Sequence, residues 1–158
     1  MSPTVFACRW ALALPALLAS AAPAADAEEK GKVRVCVVVI LATENDKKVD
    51  KQLEHIAREV RKMHPKLTGF HFQNVSCKSL PIGSKDTFEL LDDQAAAVTV
   101  QRGADKDDKI RLKVRPPRMG EITYSTACGK FLPIVTPYRN KANDLLIIAV
   151  RVQPCRGK

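Results

Sequence analysis

The cysteines have the most versatile chemistry in this chain, because a thiol can form a disulfide, bind a metal or act as a nucleophile. Five are present, and Cys36, Cys77, Cys128 and Cys155 follow the first of them at wide intervals. No two are close enough to form the C-x-x-C pair that is typical of structural zinc sites. In an exported chain, four remaining cysteines favour disulfides. Four cysteines allow three connectivities, and the sequence does not choose among them.

The segment from Cys128 to Cys155 is the best candidate for a loop closed by a disulfide. It consists of two apolar stretches around a polar turn, so a β-hairpin would bring both thiols together. Closing a loop of about 27 residues would stabilise the fold by about 3.5 kcal/mol, through the lower entropy of the unfolded chain. Cys36 and Cys77, both within predicted strands, would then form a second disulfide or remain buried thiols.

His55 and Glu59 are a second group that could do chemistry. They stand one helical turn apart, so both side chains lie on one face of a predicted helix and could share a metal ion. The same spacing is also typical of an exposed helix-face contact. The alternative interpretation of the chain is therefore a metal- or thiol-dependent enzyme, or a metal-binding protein, that uses Cys128 or this pair. Because the sequence shows no HExxH motif, nucleophile elbow or phosphate-binding loop, we predict no catalytic residue, cofactor or metal site.

A row of cations is the third feature. Arg111, Lys113 and Arg115 alternate with apolar residues, and Arg118 follows after a short break. Such alternation is typical of a strand with one buried and one exposed face. The basic row could bind an anionic polymer of the cell envelope, a membrane surface or an envelope protein, or it could simply discourage edge-to-edge pairing. No aromatic side chain stands within the row to stack on bases, so we do not expect nucleic acid as a partner.

The composition limits the class of protein. Hydrophobic residues make up 46% of the 158 residues, which excludes an intrinsically disordered chain. The length fits one domain with a substantial core. Aromatic residues make up only 5%, so that core must rest on Val, Ile, Leu and Ala. The net charge of +9 agrees with an anionic partner.

The first 27 residues have the order of a secretory signal peptide. Arg9 precedes an apolar run, and small residues follow it, which places cleavage after Ala24 or Ala27. The apolar run is shorter than a membrane-spanning helix requires. We therefore expect residues 28–158 to form a single mature domain that is exported to the periplasm or secreted.

The remaining sequence predicts the elements that position these groups. "KVRVCVVVILAT" (Lys32 to Thr43) is an almost unbroken apolar run, typical of a strand covered on both faces. A helical pattern follows over residues 49–65, and about six further strand patterns are separated by short turns. We predict an α+β fold in which one amphipathic helix packs on a mostly antiparallel sheet of about seven strands. The first and last strands are the most apolar and should be central neighbours.

The C-terminal hairpin, "TYSTACGKFLPIVTPYRNKANDLLIIAVRVQP", resembles the closing hairpin of secretin-type outer-membrane proteins. The likeness rests on a glycine-bearing turn, an apolar strand, a short polar loop and a final apolar strand, at Gly129, Ile134, Val135, Leu145, Leu146 and Ile147. Thr136 and Pro137 stand where those proteins carry a glycine pair. The chain also resembles small exported bacterial proteins of unknown function. These resemblances imply a role in an envelope assembly without catalysis.

The sequence does not identify an activity. Its features favour a small exported, non-enzymatic interaction or structural module of the cell envelope with a basic face. They carry no signal for an oligomeric state.

Overall fold

The computed structural model describes residues 31–154, which form eight strands and one α-helix in three layers. The strands are β1 (Lys32–Thr43), β2 (Gly69–Pro81), β3 (Lys85–Glu89), β4 (Ala95–Arg102), β5 (Lys109–Arg115), β6 (Ile122–Ala127), β7 (Phe131–Arg139) and β8 (Leu145–Pro154). The helix is α1 (Glu54–Met63), which follows a 3-10 turn (Lys51–Leu53).

The strands form two four-stranded antiparallel sheets. The inner sheet has the order β2-β1-β8-β7, and the outer sheet has the order β3-β4-β5-β6. The predicted α+β class and the antiparallel pairing are confirmed. The strand count is eight, and the strands divide between two sheets, whereas the sequence predicted about seven in one sheet. The difference arises because a period-2 pattern identifies a buried face without saying which strands share a sheet.

Two glycines lie where the chain crosses between the sheets. Gly83, between β2 and β3, has a φ of 86°, and Gly129, between β6 and β7, has a φ of 81°. This left-handed backbone is open to glycine because it has no Cβ. The N–H of Gly83 donates to the carbonyl of Val100, and the N–H of Gly129 donates to that of Val152, both at 2.7 Å. Each turn is thereby fastened to the core strand beside it.

The C-terminal part of β1 is buried on both faces, which explains the unbroken apolar sequence there. Val35, Val37 and Val39 pack towards the outer sheet, while Ile40 and Ala42 pack towards α1. All five are fully buried. Strand β8 follows the same pattern and pairs with β1 along nearly its whole length. The prediction that the first and last strands are central neighbours is confirmed.

Helix α1 covers one half of the inner sheet. Its residues Ile56, Ala57 and Val60 are buried against the sheet, as the helical spacing of apolar residues predicted. Arg61 secures the C-terminal end of the helix, because its guanidinium donates to the carbonyls of Leu67 and Thr68.

The loop between β1 and α1 is fastened to β2 through Asp46. The carboxylate of Asp46 accepts a hydrogen bond from the N–H of Lys48 at 2.9 Å, and its other oxygen lies 2.9 Å from Nε2 of His71. The bond from Lys48 lowers the pKa of Asp46 most, and His71 lowers it further. A neighbouring bond, from the N–H of Phe72 to the Asp50 carboxylate at 2.7 Å, holds the same loop.

The predicted signal peptide, its cleavage positions Ala24 and Ala27, and Cys155 lie outside the described residues. Within residues 31–154, no helix is long and apolar enough to cross a membrane.

Candidate functional site

The predicted basic row lies on the outward face of the outer sheet. Arg111 and Arg115 of β5 are exposed and Lys113 is half-buried, while the apolar residues that alternate with them are fully buried between the sheets. Strand β5 begins and ends where the alternation predicted. The burial of one face therefore directs all three cations towards solvent.

Neighbouring strands extend this row to a wider basic surface. Thr99 of β4 pairs with Lys113, and Lys85 of β3 pairs with Thr99, so the two lysines lie on one row two strands apart. Strand separation places their Cα atoms about 10 Å apart. Arg102 of β4 pairs with Arg111 beyond a bulge. We call the set Lys85, Arg102, Arg111, Lys113 and Arg115 the basic face.

Short side chains separate the cations of the basic face. The cross-strand partners of its β5 residues include Ala97, Thr99, Thr123 and Ser125. Lys113 is 3.5 Å from the carboxylate of Glu121, which is the one ion pair found for the basic face among the described residues. The face is consequently polar and carries a net positive charge, most of it open to a ligand.

Arg118 lies apart from the basic face. The chain leaves β5 through Pro116 and Pro117, and Arg118 has a φ of 57°. Its guanidinium carbon is 4.9 Å from the ring centre of Tyr138, a buried residue of β7. Burial raises the pKa of Tyr138, and the bond that its hydroxyl donates to Asp92 at 3.0 Å raises it further. Proximity in sequence grouped Arg118 with the row, whereas the fold directs it to this cluster.

Cys36 and Cys77 form a disulfide, with their sulfur atoms 2.04 Å apart. The two residues are direct partners in the antiparallel pairing of β1 with β2. This bond excludes the connectivities in which either residue pairs with Cys128 or Cys155. Cys77 is exposed and Cys36 is half-buried, so the bond lies at the surface of the inner sheet and the buried-thiol interpretation is wrong.

Cys128 lies beside the end of β8. The N–H of the next residue, Gly129, donates to the carbonyl of Val152, and both Cys128 and Gly129 border a cavity with Pro154. Cys155, which follows Pro154, is outside the described residues. A disulfide between Cys128 and Cys155 stays a prediction.

His55 and Glu59 lie together on α1, and the described residues bring no further metal ligand to them. The Glu59 carboxylate accepts a hydrogen bond from Lys62 at 2.8 Å, and this bond lowers the pKa of Glu59. The pair borders a cavity of about 500 Å³ between α1 and β7, which also contains Lys130. In the described part of the chain, no group of three or more His, Cys, Asp or Glu side chains could hold a metal ion.

Two buried polar atoms have no hydrogen-bond partner among residues 31–154. They are the hydroxyl of Tyr124 and the Nε of Arg151. Burial raises the pKa of Tyr124, because the ionised phenol would be poorly solvated. An unpaired buried polar atom destabilises the fold, so a change that gives either atom a partner, or removes it, should stabilise the protein.

The sequence located three of the five residues of the basic face. Lys85 and Arg102 were missed because they join it through strand register. Alternation in β3 could have found Lys85, since Lys85, Thr87 and Glu89 alternate with Asp86 and the buried Phe88. Alternation could not have found Arg102, because a bulge precedes it in β4. Comparisons of the chain with protein-family models, curated proteins and solved structures found no significant match.

Proposed function

We propose that this chain is an exported, non-enzymatic module of the cell envelope that binds an anionic polymer through the basic face. The observation that carries the proposal is the alignment of five cations across three neighbouring strands of one sheet, with a single ion pair among them. Concentrated charge of one sign attracts a ligand of the opposite sign and raises its association rate.

The spacing of the cations favours a ligand with many charges. Alternate residues of a strand are about 6.8 Å apart, so Arg111 and Arg115 are about 14 Å apart along β5. Lys85 and Lys113 are about 10 Å apart across the sheet. A small anion reaches few of these positions at once, whereas a polymer with regularly spaced phosphates or carboxylates could contact several and release their counterions.

The surroundings of the basic face favour a polymer over a lipid bilayer. Stable attachment to a bilayer usually combines cations with apolar side chains that enter the acyl region. The large apolar residues most exposed in residues 31–154 are Met63, Val75 and Ile82, which lie on α1, on β2 and after β2. None belongs to the outer sheet strands that carry the basic face.

Export is supported by two features. The first 27 residues match the order of a signal peptide. The Cys36–Cys77 disulfide agrees with an oxidising compartment, where such bonds persist. The resemblance of the C-terminal hairpin to secretin-type proteins supports an envelope setting. The metal- or thiol-dependent alternative has less support, because Glu59 is paired with Lys62 rather than with further ligands.

The proposal is tested with a variant that neutralises the centre of the basic face. We expect Arg111→Gln/Lys113→Gln/Arg115→Gln to bind inorganic polyphosphate and polygalacturonate at least about tenfold more weakly than the parent at about 50 mM salt. Fluorescence anisotropy of the labelled polymer measures the affinity. The affinity of the parent should also fall more steeply with added salt than the affinity of the triple variant, because the parent releases more counterions on binding.

A charge-matched control distinguishes weaker binding caused by loss of the basic face from weaker binding caused by the lower net charge. Lys47→Gln/Lys51→Gln/Arg58→Gln removes three exposed cations from the layer that contains α1, and we expect it to bind as the parent does. Equal losses in both variants, or no loss in the first, would refute the proposal. Tighter binding to phosphatidylglycerol vesicles than to either polymer would assign the face to a membrane surface instead.

A further inference from the structure

A second charged site lies on the side of the molecule opposite the basic face. Helix α1 leaves part of the inner sheet uncovered, and there β1 pairs Cys36 with Cys77 on one side and with Arg151 on the other. Arg151 in turn pairs with Phe131 of β7. One row across four strands therefore contains a disulfide, a guanidinium and an aromatic ring.

This row forms the floor of a cavity of about 310 Å³. Arg34, two residues before Cys36, and its cross-strand partner Gln153 supply further polar groups to the cavity wall. Among residues 31–154 no carboxylate lines the cavity, so the charge of its two arginines is not balanced by any described lining residue. A volume at the lower end of the range for small-molecule sites suits a small ligand.

Arg151 lies beside Phe131 in this row. Its Nε is buried and finds no hydrogen-bond partner within residues 31–154. The guanidinium carbon lies 5.5 Å from the ring centre of Phe131, and stacking on a ring holds the planar group in one orientation. A buried donor without an acceptor is costly, and a carboxylate offers two acceptor oxygens that match the guanidinium.

The rest of the cavity is apolar. Val38 is buried, Val75 is 52% exposed, and Phe131 is half-buried. The Cys36–Cys77 bond lies between the arginines and Val75 along the sheet and adds a surface without charge. The cavity therefore has its arginines on β1 and β8, with the disulfide and Val75 as apolar contacts towards β2.

We propose that this cavity binds an organic monocarboxylate, with the carboxylate on Arg34 and Arg151 and an apolar group on the Cys36–Cys77 bond and Val75. A free carboxylic acid and the C-terminus of a peptide that ends in an apolar residue share this chemistry. The site is separate from the basic face, so each can be tested without the other.

The test is a titration of ¹⁵N-labelled protein followed by amide chemical shifts. We expect hexanoate to produce saturable shifts centred on Arg34, Arg151 and Gln153. Acetate lacks the apolar part and hexanol lacks the charge, so both should bind at least about tenfold more weakly. N-acetyl-Gly-Leu, with its free carboxylate, is compared with its C-terminal amide to test a peptide as the ligand. Binding of hexanoate, of the peptide acid, or of both supports the site and identifies the source of the carboxylate.

Two variants of exposed residues test the cavity without changing the core. We expect Arg34→Gln to weaken hexanoate binding by about tenfold or more, and Val75→Glu to abolish it by placing a negative charge at the cavity. Arg111→Gln, an exposed arginine on the other sheet, is the matched control and should bind as the parent does. Unsaturable shifts, shifts centred on β5, or parental affinity in both variants would overturn the proposal.

Discussion

Removal of the Cys36–Cys77 disulfide should destabilise the fold strongly. The bond joins residues 41 positions apart. In the chain-entropy treatment, closing a loop of that length lowers the entropy of the unfolded chain by an amount equivalent to about 4 kcal/mol at 25 °C. Domains of this size unfold with about 5–15 kcal/mol, so Cys36→Ala/Cys77→Ala should lose a large share of the total.

Urea denaturation of the parent and of the double variant, followed by circular dichroism, measures this loss. We expect the free energy of unfolding to fall by about 4 kcal/mol and the thermal midpoint by about 15 °C. The dependence on urea should also steepen, because an unfolded chain without the cross-link exposes more surface. This second signature distinguishes a constraint on the unfolded chain from lost packing in the folded one.

Val75→Ala is the packing control for this experiment. Val75 lies two residues from Cys77 on the same face of β2 and is 52% exposed, so its truncation should cost less than about 1 kcal/mol. Adding a reductant to the double variant then measures how much any disulfide that involves Cys128 contributes to the free energy of unfolding. A loss below about 1 kcal/mol in the double variant, with an unchanged urea dependence, would refute the reasoning.

Two further predictions concern single polar groups. Tyr124→Phe removes a buried hydroxyl that lacks a partner among residues 31–154, so we expect the free energy of unfolding in urea to rise by about 1 kcal/mol; a fall would mean that the hydroxyl is satisfied. Asp46 has a lowered pKa in the folded state, so its contribution is present above about pH 4 and is lost as the pH falls through the folded pKa. The thermal midpoint of Asp46→Asn should therefore lie below the parental value at pH 7 and approach it as the pH falls below 4, and a constant difference would contradict this.

Local sequence pattern predicted the strands best where burial is simplest. In β5 every second residue faces the space between the sheets, so the alternation determined both ends of the strand. Along most of β1 both faces are covered, and the unbroken apolar run indicated that. These predictions succeed because the identity of each residue depends on its own contact with solvent.

Features that depend on register could not be read from the sequence. The Cys36–Cys77 bond requires β1 and β2 to align across a connection that contains α1, and a bulge at Val39 and Ile40 shifts that alignment. Lys85 joins the basic face through Thr99 of the intervening strand. Pairing of this kind is decided by the whole sheet, so no local window contains it.

The arginines of the cavity are only weakly indicated by the sequence pattern. Arg34 and Arg151 each interrupt an otherwise apolar run, in the two strands that were predicted to be central neighbours. A cation in such a run must reach solvent or an anion. Combining that rule with the predicted pairing of β1 and β8 would have placed both guanidiniums on one part of the sheet.

The pairing of β1 with β8 also has a consequence for how the chain folds as it is made. The central pair of the inner sheet joins the first strand to the last, so it cannot form until residues 145–154 are present. Until then one hydrogen-bonding edge of β1 has no partner strand, and that exposed backbone is prone to aggregation. Contacts between distant parts of a chain also form slowly. We therefore expect folding to begin in the outer sheet, whose strands pair with their sequence neighbours, and to finish only once β8 is available.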